Sequence, residues 1–221
     1  MNVPQFWNAR EDMTPRTIPV DVFDLVVFGA TGDLAKRKLL PALFHRDVQG
    51  QIPVDARIIG SSRRAMTRDA FRAFALAAIE AHVAPEHRQQ VLCQRFIERL
   101  DYVAAEPSQE QGWSDLEKAL RSEQDRIRVF YLAVGPDLFG PICERLGQHN
   151  LVTPNSRVVV EKPLGKNGSS AKALNEQIGR IFPALIFTAI VGTWALPAVA
   201  AGPWKGWESS YPKQLEPLTT M

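Results

Sequence analysis

Eight consecutive residues, Gly29-Ala30-Thr31-Gly32-Asp33-Leu34-Ala35-Lys36, have the types and spacing to hold a phosphate group. They follow the apolar run Phe23 to Phe28, interrupted only by Asp24, and lead into a stretch of helical periodicity. A strand that ends in Gly-x-x-Gly-x-x-Ala and opens a helix is the context in which such a pattern points to a dinucleotide. Gly29 permits the tight turn, Gly32 lets the backbone approach a pyrophosphate, and Ala35 lets the helix lie close against the strand. The N–H groups at that helix start, reinforced by the helix dipole, suit phosphate oxygens, and Lys36 adds a full positive charge nearby. An ordinary strand-turn-helix, with glycines placed for geometry alone, stands as the alternative. A P-loop is excluded, because Gly-x-x-x-x-Gly-Lys-Ser/Thr occurs nowhere.

The next apolar run ends differently, in Ser61-Ser62-Arg63-Arg64. An acidic residue at that point would hold the ribose hydroxyls of NAD, whereas guanidinium groups suit the extra 2′-phosphate of NADP. NADP is therefore favoured over NAD, with a solvated loop as the other reading of the two arginines. No residue reads as a catalyst. Asp33 serves the amides and dipole of its helix start rather than acting as a general base. His45, His82, His87 and His149 read as surface or cap residues. Cys93 and Cys143 form no Cys-x-x-Cys pair, so neither a metal site nor a disulfide framework follows.

Positioning that turn requires alternating strands and helices. Strands are expected at Phe23–Gly29, Ala56–Ser61, Tyr102–Ala105, Arg128–Val134 and Arg157–Glu161, several of them nearly unbroken Val, Ile, Leu and Phe. Helices are expected at Asp33–Arg46, Arg68–His82, Pro85–Ile97, Trp113–Ser122, Pro136–Gln148 and Ser169–Ile181, with Asp69 after Thr67 and Ser169 as capping or first-turn residues. This order gives an α/β fold, a doubly wound parallel sheet of Rossmann-like type. Its expected extent is residues 21–183, after an N-terminal arm at 1–20 and before an atypical apolar tail at 184–221.

Composition narrows the function classes. With 26 Lys plus Arg against 24 Asp plus Glu in 221 residues, the formal net charge is +2 and the basic residues are scattered, so no nucleic-acid partner is expected. The first twenty residues lack an apolar segment of the secretory kind, and a reducing cytoplasm is the default. From Ile181 to Trp204 no charged residue occurs, a length near the ~20 residues that span a bilayer. Pro197, Pro203 and the many alanines argue against a membrane span.

Read with Tyr131-Leu132-Ala133-Val134 and Glu161-Lys162-Pro163-Leu164-Gly165, the glycine turn resembles that of the glucose-6-phosphate dehydrogenase family, over about Asp21 to Pro183. The resemblance implies hydride transfer from C1 of glucose 6-phosphate to NADP in the pentose phosphate pathway. It implies that Gly29 to Lys36 wraps the coenzyme phosphates, that Arg63 holds the 2′-phosphate, and that Lys162 reaches both the coenzyme and the sugar phosphate, followed by a cis Pro163. Phe139 departs from the family, standing where some members have a coenzyme-contacting tyrosine.

The family's Arg-Ile-Asp-His-Tyr-Leu-Gly-Lys-Glu segment does not follow Ile181-Phe182-Pro183. Neither that segment nor the substrate domain with the base histidine is expected in this chain, whose reading frame is expected to depart from the family near Pro183. The chain then reads as an inactive coenzyme-binding fragment, with a non-catalytic NADP-binding module or assembly partner as the alternative. Its uncovered sheet edge favours association into a homo-oligomer.

Overall fold

A computed structural model of the chain describes residues 21–120, 126–161, 168–182 and 185–188. Within them, six parallel strands form one sheet in the order β3-β2-β1-β4-β5-β6. The strands are β1 (Phe23–Phe28), β2 (Arg57–Ser62), β3 (Leu100–Ala104), β4 (Ile127–Leu132), β5 (Ser156–Glu161) and β6 (Leu185–Thr188). The helices that connect them are α1 (Leu40–Val48), α2 (Arg68–His82), α3 (Gln90–Glu98), α4 (Trp113–Leu120), α5 (Phe139–Gln148) and α6 (Gly168–Ile181). This is the doubly wound arrangement expected from the sequence, with the order reversing between β1 and β4.

The continuous apolar strands make two cores at once. Alternate residues of β1 face opposite sides, so Leu25 and Val27 join one buried cluster while Val26 and Phe28 join the other. The first cluster contains Leu43 and Phe44 of α1, Phe71 and Ile79 of α2, and Phe96 of α3. The second contains Trp113 of α4, Phe139 and Ile142 of α5, and Ile178 of α6. A sheet covered on both faces has no solvent side, which is why its central strands carry no polar alternation.

Several boundaries differ from expectation, for identifiable reasons. The first helix opens as α-helix at Asp33 and Leu34 and passes at once into a π-helical turn, Ala35–Leu39, in which the Leu40 amide donates to the Ala35 carbonyl. Pro41 follows at once; it has no N–H for the Arg37 carbonyl, and a widened turn ahead of it accommodates the ring. The single helix expected from Pro85 divides into a 3-10 turn, Pro85–His87, and α3. Pro136 likewise opens a 3-10 turn, while Pro141 falls in the first turn of α5, where no intrahelical donor is needed. Thr67 caps α2, its hydroxyl accepting the Ala70 amide at 3.2 Å, and Asp69 sits in the first turn.

The sixth strand is an addition. Leu185–Thr188 lies in the stretch expected to be an atypical tail, yet it pairs with β5 from Val158↔Leu185 to Glu161↔Thr188. Four β-prone residues suffice at the end of a sheet already formed.

At the N-terminal ends of the strands, polar groups are wired shut. Asp24 is fully buried and accepts two bonds from Arg57, at 2.7 and 2.6 Å, with Arg126 at 3.5 Å. Arg57 is its register neighbour on β2 and Arg128 its neighbour on β4. The Arg128 guanidinium is buried too, donating to the Leu120 and Leu151 carbonyls at 2.8 Å each. Burial pulls the pKa of Arg128 below the usual arginine range, with the Asp24 carboxylate opposing the shift. Removing the one acid would leave clustered guanidiniums around an empty acceptor site. Asp24→Asn is expected to lower unfolding stability by about 3 kcal/mol, read as a shift in denaturant midpoint; a change below about 1 kcal/mol would contradict this account.

Candidate dinucleotide-binding site

The crevice at the C-terminal ends of β1 and β4 is where a doubly wound sheet leaves room for a ligand. Three segments converge there: the turn after β1, the tip of β2, and Ala133-Val134-Gly135 after β4. Their mutual placement is fixed by backbone bonds. The amides of Gly29 and Ala30 both donate to the Ser61 carbonyl, at 2.8 and 3.1 Å, and the Ala133 amide donates to the Phe28 carbonyl at 2.9 Å.

Gly29 has φ of +81°, and a Cβ there would lie 2.3 Å from the Ala133 carbonyl oxygen. Both the conformation and the packing demand glycine. Gly32 differs. A Cβ built on it would approach only the Gly29 carbonyl oxygen, at 3.1 Å, so its missing side chain leaves the site side of the turn clear.

The Gly32 amide donates to the Gly29 carbonyl at 2.9 Å, closing the turn, and the first intrahelical bond runs from the Lys36 amide to the Gly32 carbonyl. The amides of Asp33, Leu34 and Ala35 precede that bond in the first helical turn, as an anion site requires. Ala35 is fully buried, which is the close helix-to-strand approach expected of the third small residue. Lys36 and Arg63 are exposed at the rim. Asp33 pairs with Arg37 one turn on, at 2.7 Å, so its carboxylate serves the helix surface. The residues present therefore fit a dinucleotide: a clear backbone cradle, uncommitted helix-start amides and rim cations.

A chain of hydroxyl groups links the turn to the tip of β2, and one member, Tyr102, has no signal in the sequence. The Thr31 hydroxyl donates to Ser62 Oγ at 3.1 Å, and Ser62 Oγ meets the Tyr102 hydroxyl at 2.7 Å. Ser62 was visible as part of a hydroxyl-rich strand end, but Tyr102 enters only through the pairing of β2 with β3. Lys162 and Pro163, expected at the end of β5, lie outside the described residues. Phe139 is buried against α4 and α6 side chains rather than presented to the crevice, so its role is packing.

The histidines are not assembled for catalysis. The His45 and His87 rings meet edge to face, with centroids 6.1 Å apart. His149 is the C-cap of α5, as expected of a helix-end residue, and its ring is also enclosed: it stacks on Trp113, with Glu110 at 2.8 Å and Glu117 at 3.5 Å. The cysteines are buried, and burial pushes the Cys143 thiol up to about 12. Among the described residues no three His, Cys, Asp or Glu side chains form a metal site, and no helix is long and apolar enough to cross a membrane.

Residues 26–186 match the family model described as "Glucose-6-phosphate dehydrogenase, NAD binding domain". The chain belongs to the glucose-6-phosphate dehydrogenase family. It is 48% identical to the glucose-6-phosphate 1-dehydrogenase of Rhizobium meliloti over 170 residues, covering 77% of this chain and 35% of that protein. The Gluconobacter oxydans enzyme is also 48% identical, over 74% of this chain and 34% of that one. The crystal structure of the Mycobacterium avium glucose-6-phosphate 1-dehydrogenase superposes with a TM-score of 0.65 at 30% identity, over 74% of this chain and 34% of that one. A glucose-6-phosphate dehydrogenase in complex with its substrate gives 0.68 at 28% identity, over 77% and 37%. The chain thus spans about a third of the length of the relatives it matches.

Two tests follow from the geometry. Gly29→Ala is expected to destabilise the fold by more than about 2 kcal/mol through strain and overlap. Gly32→Ala should cost roughly 1 kcal/mol at most in stability. In the same variant, dinucleotide affinity should weaken at least about tenfold by calorimetric titration, because the new methyl fills the cradle; unchanged affinity would remove Gly32 from the site. A pH test concerns His45, whose pKa lies below its ordinary value of 6.5 through burial first, then the His87 and Arg46 charges. The folded state then binds fewer protons there than the unfolded one, so this contribution is present above pH 6.5 and is lost as pH falls from there through the folded value. The denaturant midpoint should fall over that range, and less so in His45→Gln.

Proposed function

We propose that this chain is the coenzyme domain of an NADP-dependent glucose-6-phosphate dehydrogenase, acting in a pentose phosphate pathway in the cytoplasm. The observation that supports it best is the glycine turn at the reversal of strand order, tied through Ser61 and Ser62 to an arginine-bearing strand tip. When bound, NADP would accept a hydride from C1 of the sugar, the C1 hydroxyl proton passing to a base.

The chain's own groups bind and orient. The amides of the turn and helix start hold the pyrophosphate, Lys36 supplies charge beside it, and the Arg63 fork takes the adenosine 2′-phosphate. The family model's description names NAD; the absence of a carboxylate in Ser61-Ser62-Arg63-Arg64 is the reason to favour NADP. Lys162, next in sequence after the end of β5, is assigned to the sugar phosphate and the nicotinamide side.

His45 and His87 pack on each other and His149 on Trp113, so none of these three is set as a base, which supports binding without turnover by this chain alone. A homo-oligomer, formed through the uncovered sheet edge, is the expected assembly, and the near-neutral, scattered charge argues against a nucleic-acid partner.

The test combines titration with an activity assay on the 221-residue chain. NADP should bind saturably and at least about tenfold more tightly than NAD, and Arg63→Ala should remove most of that preference, about 1.4 kcal/mol for a tenfold ratio. NADPH formation from glucose 6-phosphate by the chain alone would refute the inactive reading. Equal affinity for the two coenzymes would refute the assignment of Arg63.

A further inference from the structure

Tyr102 is a buried tyrosine whose hydroxyl lies beneath the proposed coenzyme site and belongs to none of the motifs that identify it. Its ring is held in place from two sides. It pairs in register with Gly60 of β2, and the Phe71 ring occupies the space that a side chain at Gly60 would need, a Cβ there lying 2.4 Å from Phe71 Cζ. Phe71 in turn packs on Tyr102 with centroids 5.0 Å apart. Gly60 thus makes room for the ring that fixes Tyr102.

The hydroxyl has a definite set of partners. It meets Ser62 Oγ at 2.7 Å and donates to the Arg64 carbonyl, the much closer of two carbonyls in reach, the Ser62 carbonyl lying at 3.4 Å. Ser62 Oγ accepts the Thr31 hydroxyl at 3.1 Å and the Arg64 amide at 3.2 Å. A hydroxyl has one hydrogen to give. With the Tyr102 hydrogen engaged by the Arg64 carbonyl and both lone pairs of Ser62 occupied, the Ser62 hydrogen goes to Tyr102. The result is a one-way chain: Thr31 to Ser62, Ser62 to Tyr102, Tyr102 to the Arg64 carbonyl. It fastens both the N–H and the C=O of Arg64, so the backbone that carries Arg63 is held from the Ser62 side and from beyond.

We infer that Tyr102 is a positioning residue for the 2′-phosphate of the coenzyme: its hydroxyl, with Ser62, pre-sets the backbone from which Arg63 reaches the ligand. This rests on the NADP reading above. The tyrosine touches no part of the coenzyme; its effect passes through the loop. Burial raises the pKa of Tyr102, so the hydroxyl keeps its hydrogen near neutral pH, as the chain of donors requires. A tyrosine that only fills core volume would be replaced by phenylalanine with no change in coenzyme choice.

The experiment is the NADP-to-NAD affinity ratio of the 221-residue chain and of Tyr102→Phe, with adenosine 2′,5′-bisphosphate and adenosine 5′-monophosphate as short probes. Tyr102→Phe is expected to weaken NADP and the bisphosphate roughly fivefold while NAD and the monophosphate change by less than about twofold. In an Arg63→Ala background the same substitution should leave NADP affinity unaltered within about twofold, because the side chain it positions is gone. Phe71→Leu, which loosens the ring but keeps the hydroxyl, serves as the comparison for general destabilisation. Amide hydrogen exchange adds a readout that needs no ligand: the Arg64 amide should exchange faster in Tyr102→Phe than in the parent chain. Equal losses for both coenzymes, no loss at all, or an undiminished effect without Arg63 would overturn the positioning role. If the parent chain shows no preference for NADP while Arg64 exchange responds as expected, the strut stands and the coenzyme reading fails.

Discussion

One backbone contact governs the layout of the site: the Gly29 and Ala30 amides share the Ser61 carbonyl, while the Gly29 α-carbon sits against the Ala133 carbonyl. The first fastens the end of β1 to the tip of β2, and the second fastens it to β4. Because φ at Gly29 is +81°, the chain reverses there in a way that side-chain-bearing residues adopt only with strain. The reversal occurs at the point where the strand order itself reverses. The helix start that follows is therefore delivered into the crevice, with its early amides ahead of the first intrahelical bond. Neither the arginine tip nor the phosphate cradle would have a fixed relation to the other without that shared carbonyl.

The two ends of the sheet treat charge in opposite ways. At the N-terminal ends, Asp24 is enclosed by Arg57 and Arg126, and Arg128 beside it is buried on two carbonyls. Asp24 is paired by two guanidiniums and both terminal nitrogens of Arg128 find carbonyls, which is what makes buried charge tolerable, although the Arg128 Nε has no partner among the described residues. At the C-terminal ends, Lys36 and Arg63 remain exposed and the first-turn amides of the helix precede its own bonding. Stability is concentrated at one end, and the capacity to bind is left at the other. The two continuous cores between them make the sheet stiff enough to keep that division.

Much of this was legible in the sequence because parallel strands buried on both faces announce themselves as unbroken apolar runs, and because Gly29, Gly32 and Ala35 have a spacing tied to one geometry. What was hidden depends on pairing or on competing signals. Tyr102 joins the site only because β3 lies beside β2 with Gly60 opposite it, a register that no local pattern encodes. The π-helical turn at Ala35–Leu39 is invisible to a search for helical periodicity, since Pro41 alters the hydrogen bonding rather than the apolar spacing. Leu185–Thr188 sat inside a long uncharged stretch, where Pro183 and the later prolines masked a short strand. His149 is the helix-end residue its position announces, but the partners that enclose its ring, Trp113, Glu110 and Glu117, were hidden because they come from a segment far away in sequence.

The proposed preference for NADP raises a physical question that the hydroxyl chain answers. An exposed arginine on a loose loop contributes little to binding, because ordering its long side chain and its backbone offsets most of the attraction in water. A guanidinium becomes selective when its fork is presented in advance and the ligand offers a dianionic group to match it. Arg63 has half of that requirement in its own chemistry. The other half lies in the backbone beneath it, where Ser62 and Tyr102 hold the Arg64 peptide by both polar groups. Thr31 extends the same chain to the glycine turn, so the two places where the proposed coenzyme would carry phosphate are set against each other by hydroxyls rather than by charges. Hydroxyls suit this task because they fix geometry without placing a second cation or an acid beside the arginine, either of which would change the charge offered to the ligand.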